Sequence, residues 1–229
     1  MANPPPMQDN NGTVIMLIRH ADVYNPHAIV YGRLPRFGLS EVGRRQAAEL
    51  ARYLAGQQVA AMYTSPQLRA RQTAAILNQA VECPTIHVSR MLSEVLTGYE
   101  GSPESILSSK KGKFNFYDEL ARPGDETIGM IASRMTRFLS LAHRRHQGET
   151  VIAVSHADPI MILRAGVLGL PLVIESLRGP NYPAKCSITK FSFTDASDVP
   201  SVEYLTPVKD ETLSAEAKEP GPIAAAAAL

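Results

Sequence analysis

Short apolar runs alternate along most of the chain with longer stretches whose apolar residues recur at helical spacing. The runs Val14 to Ile18 and Val151 to Val154 are almost continuously hydrophobic, as is typical of parallel strands covered by helices on both faces. Such strands, alternating with amphipathic helices, predict an α/β fold built on a mainly parallel central sheet. In order, the predicted elements are a strand at 13–18, a helix at 40–56, a strand at 59–64, a helix at 66–80, an extended run at 85–92, a helix at 127–146 and strands at 149–155 and 188–193.

The longest predicted helix and the segment before it differ in pattern. Residues 127–146 place apolar side chains on one helix face, namely Ile128, Ile131, Met135, Phe138, Leu139 and Ala142. Residues 97–125 show no clear period and predict an excursion from the sheet that contains short helices. Because binding residues are often carried by loops on a rigid scaffold, we expect substrate selection in this excursion.

Length and composition favour a single domain with two flexible ends. The chain has 229 residues, of which 45% are hydrophobic, so it can bury a full core, and we assign residues 13–208 to that domain. Residues 1–12 are rich in Pro and Asn, and residues 209–229 end in an alanine run. Neither end has the periodicity of a packed element, and both are predicted to be tails.

Charge and cysteine content exclude several classes of protein. The 23 Lys and Arg residues nearly balance the 22 Asp and Glu residues, so no broad cationic surface is available for nucleic acid or anionic lipid. Cys83 and Cys186 lack the spacing of a metal or redox motif, which indicates a reducing compartment. We find neither a secretory leader nor an apolar stretch of membrane-spanning length, and we therefore expect a cytoplasmic protein.

Two apolar strands end in a histidine, and this coincidence is the strongest indication of function. One strand runs into Arg19-His20 and the other into Ser155-His156. In open α/β sheets ligands bind at the carboxyl ends of the strands, so both histidines can face one crevice. A single histidine after a strand would more often be an ordinary surface or core residue; the pairing makes a site the better interpretation.

Arginines beside these positions indicate an anionic ligand. Arg19 precedes His20, and a guanidinium offers phosphate oxygens a fixed fork of donors that never loses its charge. Arg69 falls in the first turn of the predicted helix 66–80, where the backbone N–H groups also favour an anion. Arg71 lies on another face of that helix, and we expect its side chain to be solvated.

The ordered motifs LIRHAD, GRLPRFGLSEVGRRQA, YTSPQLRARQTA, LSEVLTGYEG, PGDET and VSHA resemble those of the histidine phosphatase superfamily, which includes the cofactor-dependent phosphoglycerate mutases. The resemblance covers residues 15–193. It implies a three-layer α/β/α sandwich in which the first histidine becomes a phosphohistidine intermediate. No metal or cofactor is expected.

Carried over position by position, the resemblance implies that His20 is the nucleophile and Glu94 the proton donor. A neutral imidazole can attack phosphorus, while cationic side chains neutralise the charge on the phosphoryl oxygens. A glutamate near a phosphate dianion has a raised pKa and can donate a proton near neutral pH. The implied phosphate- and substrate-binding residues are Arg19, Gly32, Arg33, Arg69, His156 and Ala157.

Two features bear on which reaction is catalysed. Ala21 stands where the family usually has glycine, and an alanine can follow the same backbone course only if its φ is negative. The segment between Gly98 and Gly124 is shorter than the mutase insertion and lacks its pattern, so we expect a phosphatase, with mutase-type phosphoryl transfer as the alternative. The lysines of this segment either attract an anionic substrate or form a solvated charge run; they are Lys110, Lys111 and Lys113.

Other functions remain open at this point. Two His-x-Asp pairs, His20 with Asp22 and His156 with Asp158, could ligate a metal, although the neighbouring arginines would repel a cation. A non-catalytic phosphate-binding module is a further alternative, since Ala21 could mark a site without turnover. The expected partner is a small phosphorylated metabolite rather than nucleic acid or membrane. We also expect an exposed strand edge at 188–193 that could pair with a second copy of the chain.

Overall fold

A computed structural model describes residues 12–108, 117, 120–177, 182–194 and 197–208. The strands are β1 (Val14–Arg19), β2 (Ala61–Thr64), β3 (Ile86–Val88), β4 (Thr150–Ser155), β5 (Ile188–Thr194) and β6 (Ser197–Leu205). The helices are α1 (Glu41–Leu54), α2 (Leu68–Val81), α3 (Ser105–Ser108), α4 (Ile128–Arg145), α5 (Ala157–Val167) and α6 (Ile174–Leu177), with a 3₁₀ turn at Arg90–Leu92. None of the described helices is long and apolar enough to cross a membrane.

The six strands form one sheet in the order β3-β2-β4-β1-β5-β6. β1 to β4 are mutually parallel, whereas β5 runs antiparallel to β1 and β6 antiparallel to β5. The mainly parallel α/β sheet is thus confirmed. β1 and β4 are adjacent, and Arg19 is level with Ser155 in their register, so the residues that follow both strands emerge side by side.

Successive side chains of β1 enter opposite cores, as the pleat of a strand requires. Ile15 and Leu17 belong to a cluster that contains the buried faces of α4 and α5. Met16 and Ile18 belong to a second cluster with α1 and α2. Helices therefore cover the sheet on both faces, and the three-layer α/β/α sandwich is confirmed.

The helix predictions are confirmed in their main features. The apolar face expected for residues 127–146 is the buried face of α4, with the same six residues inside. Thr127 caps this helix by accepting a hydrogen bond from the Met130 N–H. Ser40 caps α1 in the same way, accepting from the Gly43 N–H at 3.0 Å.

The prediction of an exposed edge at 188–193 was wrong. β5 lies inside the sheet, hydrogen-bonded to β1 on one side and to β6 on the other. β6 was not predicted; Pro200 and the polar residues around it break the alternation that would have indicated a strand. Of the predicted excursion, α3 is a short helix as expected. Its three lysines lie outside the described residues, as does almost all of both predicted tails.

Candidate active site

The two histidines meet where β1 and β4 end side by side. The backbone N–H of His20 donates to the carbonyl of Ser155 at 3.0 Å, which extends the parallel ladder by one residue. The imidazole rings of His20 and His156 are buried, with their centroids 5.1 Å apart. The sequence prediction that both strands deliver a histidine to one crevice therefore corresponds to the observed geometry.

Hydrogen bonding determines the tautomer of His20. Its Nδ1 lies 2.7 Å from the carbonyl oxygen of Ala21, which can only accept, so Nδ1 carries the proton. Nε2 accepts from Nε of Arg69 at 3.2 Å and therefore presents a lone pair. Burial, followed by the positive charge of Arg69, holds the pKa of His20 well below its usual value. His20 is thus a neutral imidazole near pH 7, the form that can act as a nucleophile.

Arg69 is fully buried in the first turn of α2 and connects the two histidines. Its Nη2 donates to the carbonyl of Gly32 at 2.7 Å and to Nδ1 of His156 at 3.1 Å. Its Nη1 has no hydrogen-bond partner within the described part of the chain. The face of Tyr31 lies 4.6 Å from the guanidinium carbon. A buried cationic donor left unpaired in this way suits an anionic ligand.

Arg19 brings a second guanidinium to the same cleft. Its Nη1 donates to the carbonyl of Pro183 at 2.6 Å, and its buried Nε lacks a partner among the described residues. Tyr182 lies 5.7 Å from its guanidinium carbon. Two guanidinium groups with unpaired buried donors therefore adjoin His20, which is the arrangement expected for a phosphoryl group.

His156 is oriented by a chain of hydrogen bonds through two residues, Ser65 and Gln67, that were not predicted from the sequence. Because its Nδ1 accepts from Arg69, Nε2 carries the proton and donates to the hydroxyl of Ser65 at 2.7 Å. The Ser65 hydroxyl in turn donates to the side-chain amide oxygen of Gln67. Burial lowers the pKa of His156 well below its usual value. Ser65 and Gln67 both lie in the motif YTSPQLRARQTA, a few residues before Arg69. This proximity to Arg69 was the signal in the sequence that could have identified them.

Glu94 faces the same group of side chains. Its Oε2 lies 3.5 Å from Nη2 of Arg69 and 3.4 Å from Nδ1 of His156. Its Oε1 accepts from the Val95 N–H at 3.0 Å. Burial raises the pKa of Glu94, although the charge of Arg69 opposes the shift. A carboxyl that retains its proton above the usual range can serve as a general acid.

Arg19, His20 and Glu94 border a cleft of about 200 Å³ at the carboxyl edge of the sheet, and Arg69 and His156 are buried beside His20 and Glu94. Gly32 lines the cleft, with φ at +38°, and a Cβ there would come within 2.5 Å of Oε1 of Glu100. The positive φ therefore favours glycine, and a Cβ would also require the Glu100 side chain to move. The lining residues are Arg19, His20, Val30, Tyr31, Gly32, Glu94, Val95, Thr97, Glu104, Ala157, Asp158 and Tyr182. Of the implied phosphate- and substrate-binding residues, Arg19, Gly32 and Ala157 lie on the wall of the cleft, whereas the side chains of Arg69 and His156 are fully buried beside it.

Arg33 lies outside this lining. Its Nη2 donates to Glu126 at 2.8 Å, and its Nε donates to the backbone carbonyl of Glu94 at 2.7 Å. Its backbone N–H donates to the carboxylate of Glu100 at 2.6 Å. The structure therefore places the Arg33 side chain against the backbone of Glu94 and the carboxylate of Glu126 rather than in the cleft.

The carboxylates of the two His-x-Asp pairs are occupied elsewhere. Asp22 accepts from the Ser40 hydroxyl at 2.6 Å and faces Lys185. Asp158 accepts from the hydroxyls of Tyr117 and Tyr182 at 2.5 and 2.6 Å. Both carboxylates are thus partnered by hydroxyl and ammonium groups of the chain itself.

A different set, His20, Glu94 and His156, does place its ligand-type atoms within 4.8 Å of one another. However, nitrogen atoms of the Arg69 guanidinium lie within 3.5 Å of all three side chains. This fixed positive charge disfavours a cation and favours an anion at the same place.

Ala21 is accommodated without backbone strain. It is absent from the described non-glycine residues with positive φ, and its side chain is fully buried in the cluster with α1 and α2. Its N–H donates to the Thr73 hydroxyl at 3.1 Å, and that hydroxyl donates to the Arg69 carbonyl at 2.8 Å. Ala21 therefore follows a backbone course that an alanine can adopt, and its methyl group packs in the core.

A model of the histidine phosphatase superfamily (branch 1) matches residues 15–202. The chain belongs to this superfamily. Over 161 residues it is 33% identical to uncharacterized protein Rv0525 of Mycobacterium tuberculosis, covering 69% of this chain and 79% of that one. Over 164 residues it is 28% identical to phosphoserine phosphatase 1 of Hydrogenobacter thermophilus, covering 69% and 77%. The solved structure of Bacillus stearothermophilus YhfR matches with a TM-score of 0.75 at 26% identity, covering 86% of this chain and 100% of that one. The resemblance inferred from the motifs is confirmed, and the phosphatase relatives indicate an enzyme.

Proposed function

We propose that the protein hydrolyses small phosphomonoesters through a covalent phosphohistidine at His20. The observation that carries this proposal is the lone pair on Nε2 of a neutral, buried imidazole, next to two guanidinium groups with unpaired buried donors. A nucleophile, an anion clamp and a proton donor then lie in one cleft. These are the parts that phosphoryl transfer needs.

In the first step, Nε2 of His20 forms a bond to phosphorus as the ester P–O bond breaks. Arg19 and Arg69 hold the phosphoryl oxygens and neutralise their charge, and His156 orients the Arg69 guanidinium by accepting a hydrogen bond from its Nη2. Glu94 gives its proton to the leaving oxygen, and the alcohol departs. The Nδ1 proton stays on the ring, where its hydrogen bond to the Ala21 carbonyl stabilises the charge that develops on the imidazole.

In the second step, the ionised carboxylate of Glu94 takes a proton from water. The water oxygen bonds to phosphorus, the P–N bond breaks, and its electron pair returns to Nε2 of His20. Inorganic phosphate then leaves, and Glu94 is again protonated. The same carboxyl thus acts as acid and then as base.

The substrate class that we propose is a small phosphorylated metabolite. The cleft of about 200 Å³ suits a compact ester. One relative bears the name phosphoserine phosphatase, which supports an amino-acid or similar small phosphate ester without identifying it for this chain.

Acid-quenched labelling with ³²P-phosphorylated small esters tests the proposal. The wild type should release phosphate and carry an acid-labile protein-bound label, and His20→Ala should do neither. His27→Ala is the matched control, because His27 is exposed. Turnover that survives His20→Ala would contradict the mechanism. Transfer of the label to an added acceptor alcohol, in place of water, would instead identify a mutase.

A further inference from the structure

The segment that carries Glu94 has little regular structure of its own. The 3₁₀ turn ends at Leu92 and α3 begins at Ser105, with neither helix nor strand between them. Backbone ladders therefore do not fix the position of Glu94. Contacts from other parts of the chain must do so, because a proton donor needs a defined distance to the leaving oxygen.

Glu126 binds this segment through both its backbone and its side chain. Its N–H donates to the Leu96 carbonyl at 2.9 Å, and its Oε2 accepts from the Leu96 N–H at 3.0 Å. Glu126 is buried, with 9% of its surface exposed. A buried carboxylate is retained only where donors compensate it, and here those donors are one backbone amide and two arginines.

Arg134, on α4, is the first of these arginines. Its Nε donates to Oε1 of Glu126 at 2.9 Å, and its Nη2 lies 3.1 Å from Oε2. The same guanidinium donates to the carbonyls of Met91 at 2.7 Å and Glu94 at 3.4 Å. One side chain thus joins Glu126 to the backbone within the 3₁₀ turn and just after it.

Arg33 is the second arginine that contacts Glu126. Its Nη2 donates to Oε2 of Glu126 at 2.8 Å, while its Nε donates to the Glu94 carbonyl at 2.7 Å. The carbonyl of Glu94 is therefore held by two guanidinium groups, and both are oriented by the carboxylate of Glu126. None of these three side chains lines the cleft.

We propose that Glu126, with Arg33 and Arg134, forms a positioning network that holds the backbone of Glu94 so that its carboxyl reaches the leaving oxygen. The inference rests on the proposed function and assigns the network a role in the proton transfers of Glu94 alone. It predicts that loosening the network slows the first step in proportion to the need of the leaving group for a proton. Phosphate capture by Arg19 and Arg69 should be unaffected.

The test compares wild type, Glu126→Gln and Arg134→Met with aryl phosphates of similar size, from p-nitrophenyl to p-methoxyphenyl phosphate, and with one alkyl phosphate. The p-nitrophenolate ion leaves without a proton, whereas an alkoxide requires one. The quantity compared is kcat/KM, which reports only the steps up to formation of phosphohistidine and departure of the alcohol. For both variants we expect kcat/KM for the alkyl ester to fall about 10- to 100-fold, and kcat/KM for p-nitrophenyl phosphate to fall less than about threefold. Arg137→Met is the matched control, because Arg137 is an exposed arginine on the same helix.

Arg134→Met also guards against a failure of Glu126→Gln to fold, because it retains the carboxylate and its contact with Arg33. Thermal unfolding of each variant shows whether the fold is intact. Equal losses of kcat/KM across the ester series, or no loss, would overturn the proposal while leaving hydrolysis established. If the wild type hydrolysed none of the esters, the proposed function would fail, and the network's catalytic role with it.

Discussion

Replacing Arg69 by methionine removes the buried guanidinium while retaining much of the side-chain length. Inorganic phosphate should then bind more weakly, because Nη1 of Arg69 carries two N–H groups that have no partner among the described residues. The change also removes hydrogen bonds to Gly32 and to both histidines, so the baseline stability of the variant will differ. Each protein is therefore compared with itself, with and without phosphate.

The magnitude follows from linkage between binding and unfolding. At a phosphate concentration of about 100 times Kd, the wild type gains about 2.7 kcal/mol, or about 5 to 11 °C in Tm for a chain of this size. Two charge-assisted hydrogen bonds of about 1.5 kcal/mol each make the loss about 3 kcal/mol, which weakens binding about 150-fold. At the same phosphate concentration, the variant should gain only about 0.3 kcal/mol, or about 1 °C.

Differential scanning calorimetry at matched ionic strength measures these shifts. Arg71→Met is the matched control, because it makes the same change in charge two residues along α2, where the side chain is exposed. It should retain the phosphate-induced rise of the wild type. A phosphate-binding role for Arg69 is refuted if Arg69→Met keeps more than about half of the wild-type rise in Tm, or if Arg71→Met loses as much of that rise as Arg69→Met does.

Three further predictions concern neighbouring residues. Burial raises the pKa of Glu94, so its protonated form persists above the usual range, and kcat/KM for an alkyl phosphate should fall as pH rises through that pKa. Glu94→Gln should be about 100- to 10,000-fold slower and should lose this dependence in a pH–rate profile; a variant that keeps it would exclude Glu94 as the donor. Thr73→Val leaves the Ala21 N–H unpaired and should lower the free energy of unfolding by about 1 to 3 kcal/mol in urea, whereas Thr73→Ser keeps the hydroxyl and should lose only about 0.8 kcal/mol, the contribution of a buried methyl; a loss for Thr73→Val no larger than that for Thr73→Ser would argue against the hydrogen bond. Ala21→Gly should leave kcat/KM within about threefold, because the methyl points into the core; an increase of about tenfold or more would show that it obstructs the phosphate.

The local sequence pattern was sufficient to predict where His20, His156 and Arg69 lie relative to the strands and helix that carry them. Continuous apolar runs before His20 and His156 predict buried parallel strands, and such strands share one carboxyl edge. The position of Arg69 in the first turn of a helix follows from the periodicity of its segment. Each of these inferences needs only the residues within a few positions of the one concerned.

Three-dimensional packing determined the partners of those residues. Ser65 and Gln67 orient His156 because the ends of β2 and β4 are adjacent, and strand order depends on contacts between distant segments. Arg33 is three residues from Val30, which lines the cleft, yet its side chain turns towards Glu126, 93 positions away. Spacing along the chain cannot predict such a choice, because it depends on which charge lies within reach after folding.

For β5, too, the local pattern predicts the strand, whereas its pairing depends on tertiary contacts. The apolar alternation of 188–193 correctly predicts a strand, but whether that strand has a free edge depends on β6, whose own pattern is weak. A strand with one solvated face and a proline acquires its pairing from its neighbour rather than from its own sequence.

By itself, then, the sequence determined the α/β class and the residues brought to the edge of the sheet, because periodicity and strand ends are local properties. Only the tertiary structure decided strand order, side-chain orientation and the network behind Glu94, because these depend on contacts between residues far apart in the chain.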